Sequence, residues 1–188
     1  MDELERIAAD AAGGDPLAAA ALVRATQSDV WRLCAALGDR GSADDLTQET
    51  YLRAFGSLHR FEGRSSLRTW LLSIARRVCA DAVRSRRRRR IVLVRDDADL
   101  EALAAADGRR DSSAEGAVVA DLLARLDPDR REAFVLTQLL GLPYADAAEV
   151  VGCPVGTIRS RVARARADLI GSLAGVNEDG EESDAAHA

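Results

Sequence analysis

Apolar residues recur along this chain at the three-and-four spacing of helices, and Gly, Pro, Ser and Asp punctuate the runs. The pattern predicts a short helix over residues 3 to 12, closed by Gly13-Gly14. Asp15-Pro16 then offers a cap and a first-turn proline for a longer helix through Leu37. After Ser42, Tyr51, Phe55 and Leu58 share one helical face, while Asp45, Gln48, Glu49 and Leu52 gather on another. A hydroxyl at Ser65 or Ser66 caps the next helix, whose apolar stripe is Leu67, Trp70, Leu71, Ile74, Val78 and Ala82. Ser73, Arg77, Ala80 and Arg84 line its adjacent polar face before the helix runs into RSRRRRR. The place of Trp70 on the stripe favours core packing.

In the second half, Val119, Leu122, Leu123 and Leu126 stand at helical spacing. Asp127-Pro128 caps the helix of REAFVLTQLL, apolar nearly all round and closed by Gly141. Tyr144 to Val151 reads as a short helix, Gly152 as a tight turn, and Pro154 as the first turn of a helix from Val155 to Leu169. The small side chain of Ala148, four residues before the glycine, and Ile158, six after it, would fill the core between the two helices. That is a helix-turn-helix, whose second helix enters a DNA major groove. Along the second helix Val155, Ile158, Val162, Ala165 and Leu169 form a narrow stripe. Arg159 and Arg166 lie on one flank, Arg161 and Arg164 on the other. Two cationic edges around a buried seam suit a polyanion, although a solvated surface helix shares the pattern.

The class is all-α: aromatic residues are 4% of the chain, alanine and leucine abound, and 47% hydrophobic content over 188 residues allows two small cores. Charge then divides the chain. From Arg60 to Arg95 there are 12 arginines against two acids, from Asp96 to Asp121 eight acids against two arginines, and the net over all is −5. The basic stretch favours nucleic acid. The acidic stretch, rich in Ala, Ser and Gly, reads as a linker. The domains expected are residues 1–95, a linker over 96–116, a second domain over 117–174 and a disordered acidic tail over 175–188.

All 26 basic residues are arginine, so the phosphate-binding lysine of a nucleotide-binding loop is excluded. Cys34, Cys79 and Cys153 read as reduced, buried thiols, and with only His59 and His187 no metal-ligand spacing occurs. No cofactor is implied. The acids of MDELERIAADAAGG do not suit a secretory signal, and no apolar run is long enough to insert in a membrane, which places the chain in the cytoplasm.

In this order the pieces resemble a bacterial alternative sigma factor of the extracytoplasmic-function type, in the sigma-70 family. ADDLTQETYLRAF, FEGRSSLRTWLLSIARRVCADAVRSRRRR, and LDPDRREAFVLTQLLGLPYADAAEVVGCPVGTIRSRVARARADL carry the resemblance. TQLLGLPYADAA and GCPVGTIRSRVARAR are the strings that resemble actinobacterial members.

The resemblance implies a non-enzymatic factor that binds core RNA polymerase, directs it to −35/−10 promoters and helps melt the −10 region. Asp45, Gln48, Glu49 and Leu52 match the helix that docks on the β′ clamp helices, and the β flap is a further implied contact. Arg64, Ser65, Ser66, Trp70, Arg77 and Arg84 fall in the segment that handles the −10 element, where a base is flipped from the stack. Val155, Thr157, Arg159 and Ser160 match the residues that meet base edges of the −35 element, and Arg161, Arg164 and Arg166 fall to phosphate. The family commonly has a cognate anti-sigma factor, and the free chain is expected to be a monomer. A stand-alone helix-turn-helix regulator explains Tyr144 to Leu169 equally well but leaves ADDLTQET and the Trp-Arg segment unexplained.

Overall fold

The computed structural model describes residues 3–38, 40–95 and 114–184. Among them every regular element is a helix, as the aromatic-poor, helix-periodic sequence implies. The chain separates into two compact units.

The first unit holds α1 (Glu3–Ala12), α2 (Pro16–Leu37), α3 (Ala43–Ser57) and α4 (Leu67–Arg95), with single 3-10 turns at Arg40–Ser42 and Leu58–Arg60. α2 packs against α1, α3 and α4. It starts where Asp15 Oδ1 accepts the Leu17 N–H at 2.8 Å with Pro16 in the first turn, so two of the sequence signals act together. Leu22, Val30, Leu33 and Cys34 are buried along it. At one end Ala8, Leu22, Leu58 and Leu67 form a cluster that Phe55, Phe61 and Trp70 cover. Ser66 Oγ accepts the Thr69 N–H at 3.1 Å and so caps α4, and Arg68 on α4 pairs with Asp29 on α2 at 2.7 Å.

The second unit holds α5 (Ala114–Arg125), α6 (Pro128–Phe134), a π-helical turn (Val135–Leu139), α7 (Tyr144–Val151) and α8 (Val155–Asp184). Asp127 Oδ1 accepts the N–H groups of Asp129 and Arg130 at 3.0 and 3.3 Å, closing two of the open donors at the start of α6. The Arg131 guanidinium turns back onto the carbonyls of Ala124 and Leu126, at 2.7 and 3.2 Å, and satisfies the end of α5. Burial pulls the Arg131 pKa down from its ordinary value. α6 packs on α8, and Ala133, Val135, Leu136, Ile158, Val162 and Ala165 are almost wholly buried.

Several expectations change. REAFVLTQLL is not one uniform α-helix: Thr137 Oγ1 donates to the Ala133 carbonyl at 2.8 Å, and Leu140 N–H reaches back five residues to Val135 at 2.9 Å. Val119 is 48% exposed rather than part of a buried stripe, and burial begins further along, at Leu123 on α5 and at Leu126 just past its end. Cys34 and Cys79 are buried, but Cys153 is half-buried beside the turn.

Of the linker expected over 96–116, residues 96–113 lie outside the described residues, and α5 already begins at Ala114. α8 runs past 175 to Asp184, where a disordered tail was expected, and 185–188 lie outside the described residues. Extending a helix already nucleated costs little per residue even for polar sequence. Among the described residues no helix is long and apolar enough to cross a membrane, and no cluster of His, Cys, Asp or Glu has a metal-site arrangement.

Candidate functional site

On α3, Asp45 and Gln48 are exposed and Glu49 is half-buried. Leu52 on the same face is 70% exposed, a large apolar side chain set among polar ones. Isolated exposed leucines are ordinary, whereas one flanked by acids and an amide suits the centre of a protein contact with a polar rim. Glu49 does not stand free. It accepts Arg53 Nε at 2.7 Å, Arg53 also reaches Asp81 on α4 at 2.9 Å, and Asp81 receives Arg84 at 2.5 Å. Hydrogen bonds from Arg53 and Arg84 hold the Asp81 carboxyl below its usual range, and those from Arg53 to Asp81 and Glu49 push the guanidinium up.

The segment before and along α4 carries the second group. The Trp70 ring is half-buried and meets Phe61 with centroids 5.4 Å apart, so the stripe reading of this residue as core packing holds. Gly63 has φ +68 and turns the loop. A cavity of about 490 Å³ opens between α1 and this loop, with Glu5, Ala8, Phe61 and Gly63 in its wall. Arg64 is exposed and paired with Glu62. Ser65 is half-buried and the Ser66 hydroxyl is engaged as the α4 cap. Arg77 is exposed, and Arg84, seven residues on, is held by Asp81.

The third group is the helix-turn-helix. Gly152 has φ +76, the left-handed conformation that a side chain rarely adopts, and Cys153 N–H closes the turn on the Ala148 carbonyl at 3.0 Å. Ala148 and Ile158 are both buried, as the spacing predicts. At the start of α8, Val155 is exposed although it heads the apolar stripe, Thr157 is half-buried, and Arg159 and Ser160 are exposed.

The arginines separate into two kinds. Arg161 has a side chain only 24% exposed and pairs with Asp129 of α6, and Arg166 donates to Gln138 Oε1 at 2.6 Å. Arg159 and Arg164 are exposed and make no ion pair among the described residues. Sequence reading missed Asp129, Gln138, Arg53 and Asp81. The contacts Arg53–Asp81, Arg161–Asp129 and Arg166–Gln138 each span 28 or more residues, and no local spacing signals them, whereas Arg53–Glu49 and Arg84–Asp81 are ordinary neighbours on one helix face.

Comparison with known proteins accounts for both units. The sigma-70 region 2 family matches residues 22–89 and the sigma-70 region 4 family residues 117–169. The chain is 54% identical over 164 residues to the ECF RNA polymerase sigma factor SigC of Mycobacterium tuberculosis, covering 87% of this chain and 88% of that protein. It is 39% identical over 132 residues to the ECF RNA polymerase sigma factor EcfG of Rhodopseudomonas palustris, covering 70% and 71%. Among solved structures, CnrH in complex with the cytosolic domain of CnrY is similar at a TM-score of 0.72 and 29% identity, covering 93% of this chain and 99% of that one. The sigma factor RpoE of Bartonella quintana, in complex with the anti-sigma factor NepR, is similar at 0.66 and 30%, covering 80% and 93%. The chain therefore belongs to the sigma-70 family as an extracytoplasmic-function RNA polymerase sigma factor of the actinobacterial kind, an alternative sigma factor that directs RNA polymerase to its promoters.

Proposed function

We propose a division of labour between the two units. The first, over residues 1–95, docks on the β′ clamp helices through Asp45, Gln48, Glu49 and Leu52 and handles the opened −10 strand through Arg64, Arg77 and Arg84, with Ser65, Ser66 and Trp70 shaping the loop that holds it. The second, over 117–174, reads the −35 duplex with the start of α8, through Val155, Thr157, Arg159 and Ser160, and meets the β flap. The observation that carries this is that the two matched family segments fall on two separately packed units, Glu149–Gly152 apart.

The individual features agree. Leu52 is apolar, exposed and ringed by acids and an amide, which gives a contact both area and orientation. Arg159 and Arg164 project, without ion-pair partners among the described residues, from the helix that follows the Gly152 turn, where arginine recognises guanine or phosphate. Bond-making chemistry belongs to the polymerase, and this chain supplies positioning and strand capture in the cytoplasm, where it circulates as a monomer. Because CnrH and RpoE were each solved with a partner, one of them an anti-sigma factor, an anti-sigma factor that masks these surfaces is also proposed.

Run-off transcription with core polymerase over a randomised promoter library tests the reading. Transcripts starting downstream of a shared pair of elements support it. A chain that fails to join core polymerase, or joins it and starts no transcript at a defined site, overturns it.

A further inference from the structure

Two ion pairs of opposite sense join α6 to α8. Asp129 and Arg130 are neighbours in the first turn of α6. Asp129 takes the Arg161 guanidinium, and Arg130 Nη1 gives to Asp168 Oδ2 at 2.7 Å. On α8 the base and the acid stand seven residues apart, two helical turns. Because the signs alternate on both helices, exchanging partners sets like charge against like, and one register satisfies both pairs. The turn that carries Asp129 and Arg130 is itself pinned, since Asp127 Oδ1 accepts both of their N–H groups. Further along, Gln138 receives Arg166 while its own Nε2 donates to Thr137 Oγ1 at 2.9 Å.

Such a device is needed where packing alone does not fix the helix. The buried face of α8 is built from Ile158, Val162 and Ala165, and it narrows to a methyl group as it runs up the helix. Small side chains permit close approach and resist sliding or rotation poorly. A recognition helix, in contrast, must present its first turn to base edges within a fraction of an ångström. The cost of solvent-exposed ion pairs is small, and so is their contribution to stability; alternating signs give register.

From this geometry we infer that Asp129 with Arg161, and Arg130 with Asp168, are positioning residues that set the pose of α8 on the −35 element, and that Arg161 is not a phosphate ligand. The inference rests on the proposed role of α8 as the −35 reader and adds which side chains aim it. The phosphate role then falls to Arg164, which is exposed and carries no ion pair among the described residues.

The test uses the full chain assembled with core polymerase, a promoter recovered from a randomised pool with the wild type, and the same promoter with its −35 element scrambled. Two quantities are read: the affinity ratio between the two promoters, and the slope of log affinity against log salt. Asp129→Asn and Arg161→Met should each lower the ratio about tenfold, the weight of one lost base contact. The double variant should be no worse than either, and the salt slope should stay at the wild-type value. The exchanged pair Asp129→Arg with Arg161→Asp should recover most of the ratio, and Asp168→Asn, at the far pair, should reproduce the loss.

A phosphate role for Arg161 predicts the opposite. Asp129→Asn would then tighten binding to both promoters by freeing the guanidinium, and Arg161→Met would flatten the slope by about 0.9, one phosphate contact. Either result overturns the inference, as does a lowered melting temperature with the ratio intact. Arg164→Ala is the control on the underlying reading. It should weaken both promoters alike and flatten the slope, and if it changes neither, the role of α8 itself fails and the inference falls with it.

Discussion

The phenol of Tyr51 on α3 donates to Thr26 Oγ1 on α2 at 2.7 Å, inside the first unit, while the Thr26 hydroxyl donates in turn to the Leu22 carbonyl at 2.7 Å. The direction follows because one hydroxyl hydrogen cannot serve both bonds. Burial raises the Tyr51 pKa above its ordinary value. Tyr51→Phe removes the donor and leaves Thr26 bonded to Leu22, a loss of about 1 kcal/mol. Thr26→Val strands the buried phenol hydroxyl and costs about 2 kcal/mol. The double variant should lose less than the sum, since both singles remove the same bond. Chemical denaturation followed by circular dichroism gives the three values, and strict additivity would rule the bond out as a coupled pair.

Two glycines four residues apart should respond to the same substitution with opposite sign. Neither Gly152 nor Gly156 has an atom within 4 Å of where a Cβ would stand, so sterics with neighbours do not separate them. Backbone conformation does. Gly152 sits at φ +76, where a side chain costs about 1–2 kcal/mol. Gly156 lies in the first turn of α8, where alanine gains up to about 1 kcal/mol in helix propensity. Gly152→Ala should lower the melting temperature of the second unit and Gly156→Ala should raise it, by differential scanning calorimetry.

The caps and turns of both units were legible because each signal is local. Asp15-Pro16, Ser66, Asp127-Pro128 and Gly152 act within three or so residues of where they stand. The π-helical turn was not, since the five-residue bond from the Leu140 N–H to the Val135 carbonyl leaves no mark on the local residue pattern. The candidate sites were legible as to which face carries them, as with Leu52 among its acids. They were not legible as to which charged groups are free. Arg161 and Arg164 occupy the same flank by sequence, yet only the former has an acid from α6 within reach, because that depends on where a helix some thirty residues earlier packs.

Leu52 offers a substitution that separates docking from folding. Its side chain is 70% exposed on α3, so Leu52→Ala removes almost no buried area and should leave the unfolding midpoint unchanged. If it is the apolar centre of the polymerase contact, truncation should cost more than about 1 kcal/mol of association, at least roughly fivefold in dissociation constant. Equilibrium competition for core polymerase against the wild type measures this. Equal competition by the variant would remove Leu52 from the docking surface.

The last prediction concerns Asp81, which stands between Arg53 and Arg84. Its folded carboxyl is held below the ordinary value of 3.8 by hydrogen bonds from both arginines. A depressed pKa contributes stability that is present above the unfolded value and is lost as pH falls through the folded one, so the ionised cluster persists at every pH where transcription is assayed. Arg84 is therefore partly neutralised in the free chain. If Arg84 grips the −10 strand, it must leave Asp81 or share it. Asp81→Asn removes that competition while Arg53 keeps Glu49. Open complexes of the variant should last longer at moderate salt, and their salt dependence should steepen by about 0.7, the release expected for one added contact on a single strand. Arg84→Ala should shift the slope the other way by a similar amount. Open-complex lifetimes measured across a salt series decide the matter: a flatter slope for Asp81→Asn would mean that the carboxylate orients Arg84 toward the strand instead of holding it back.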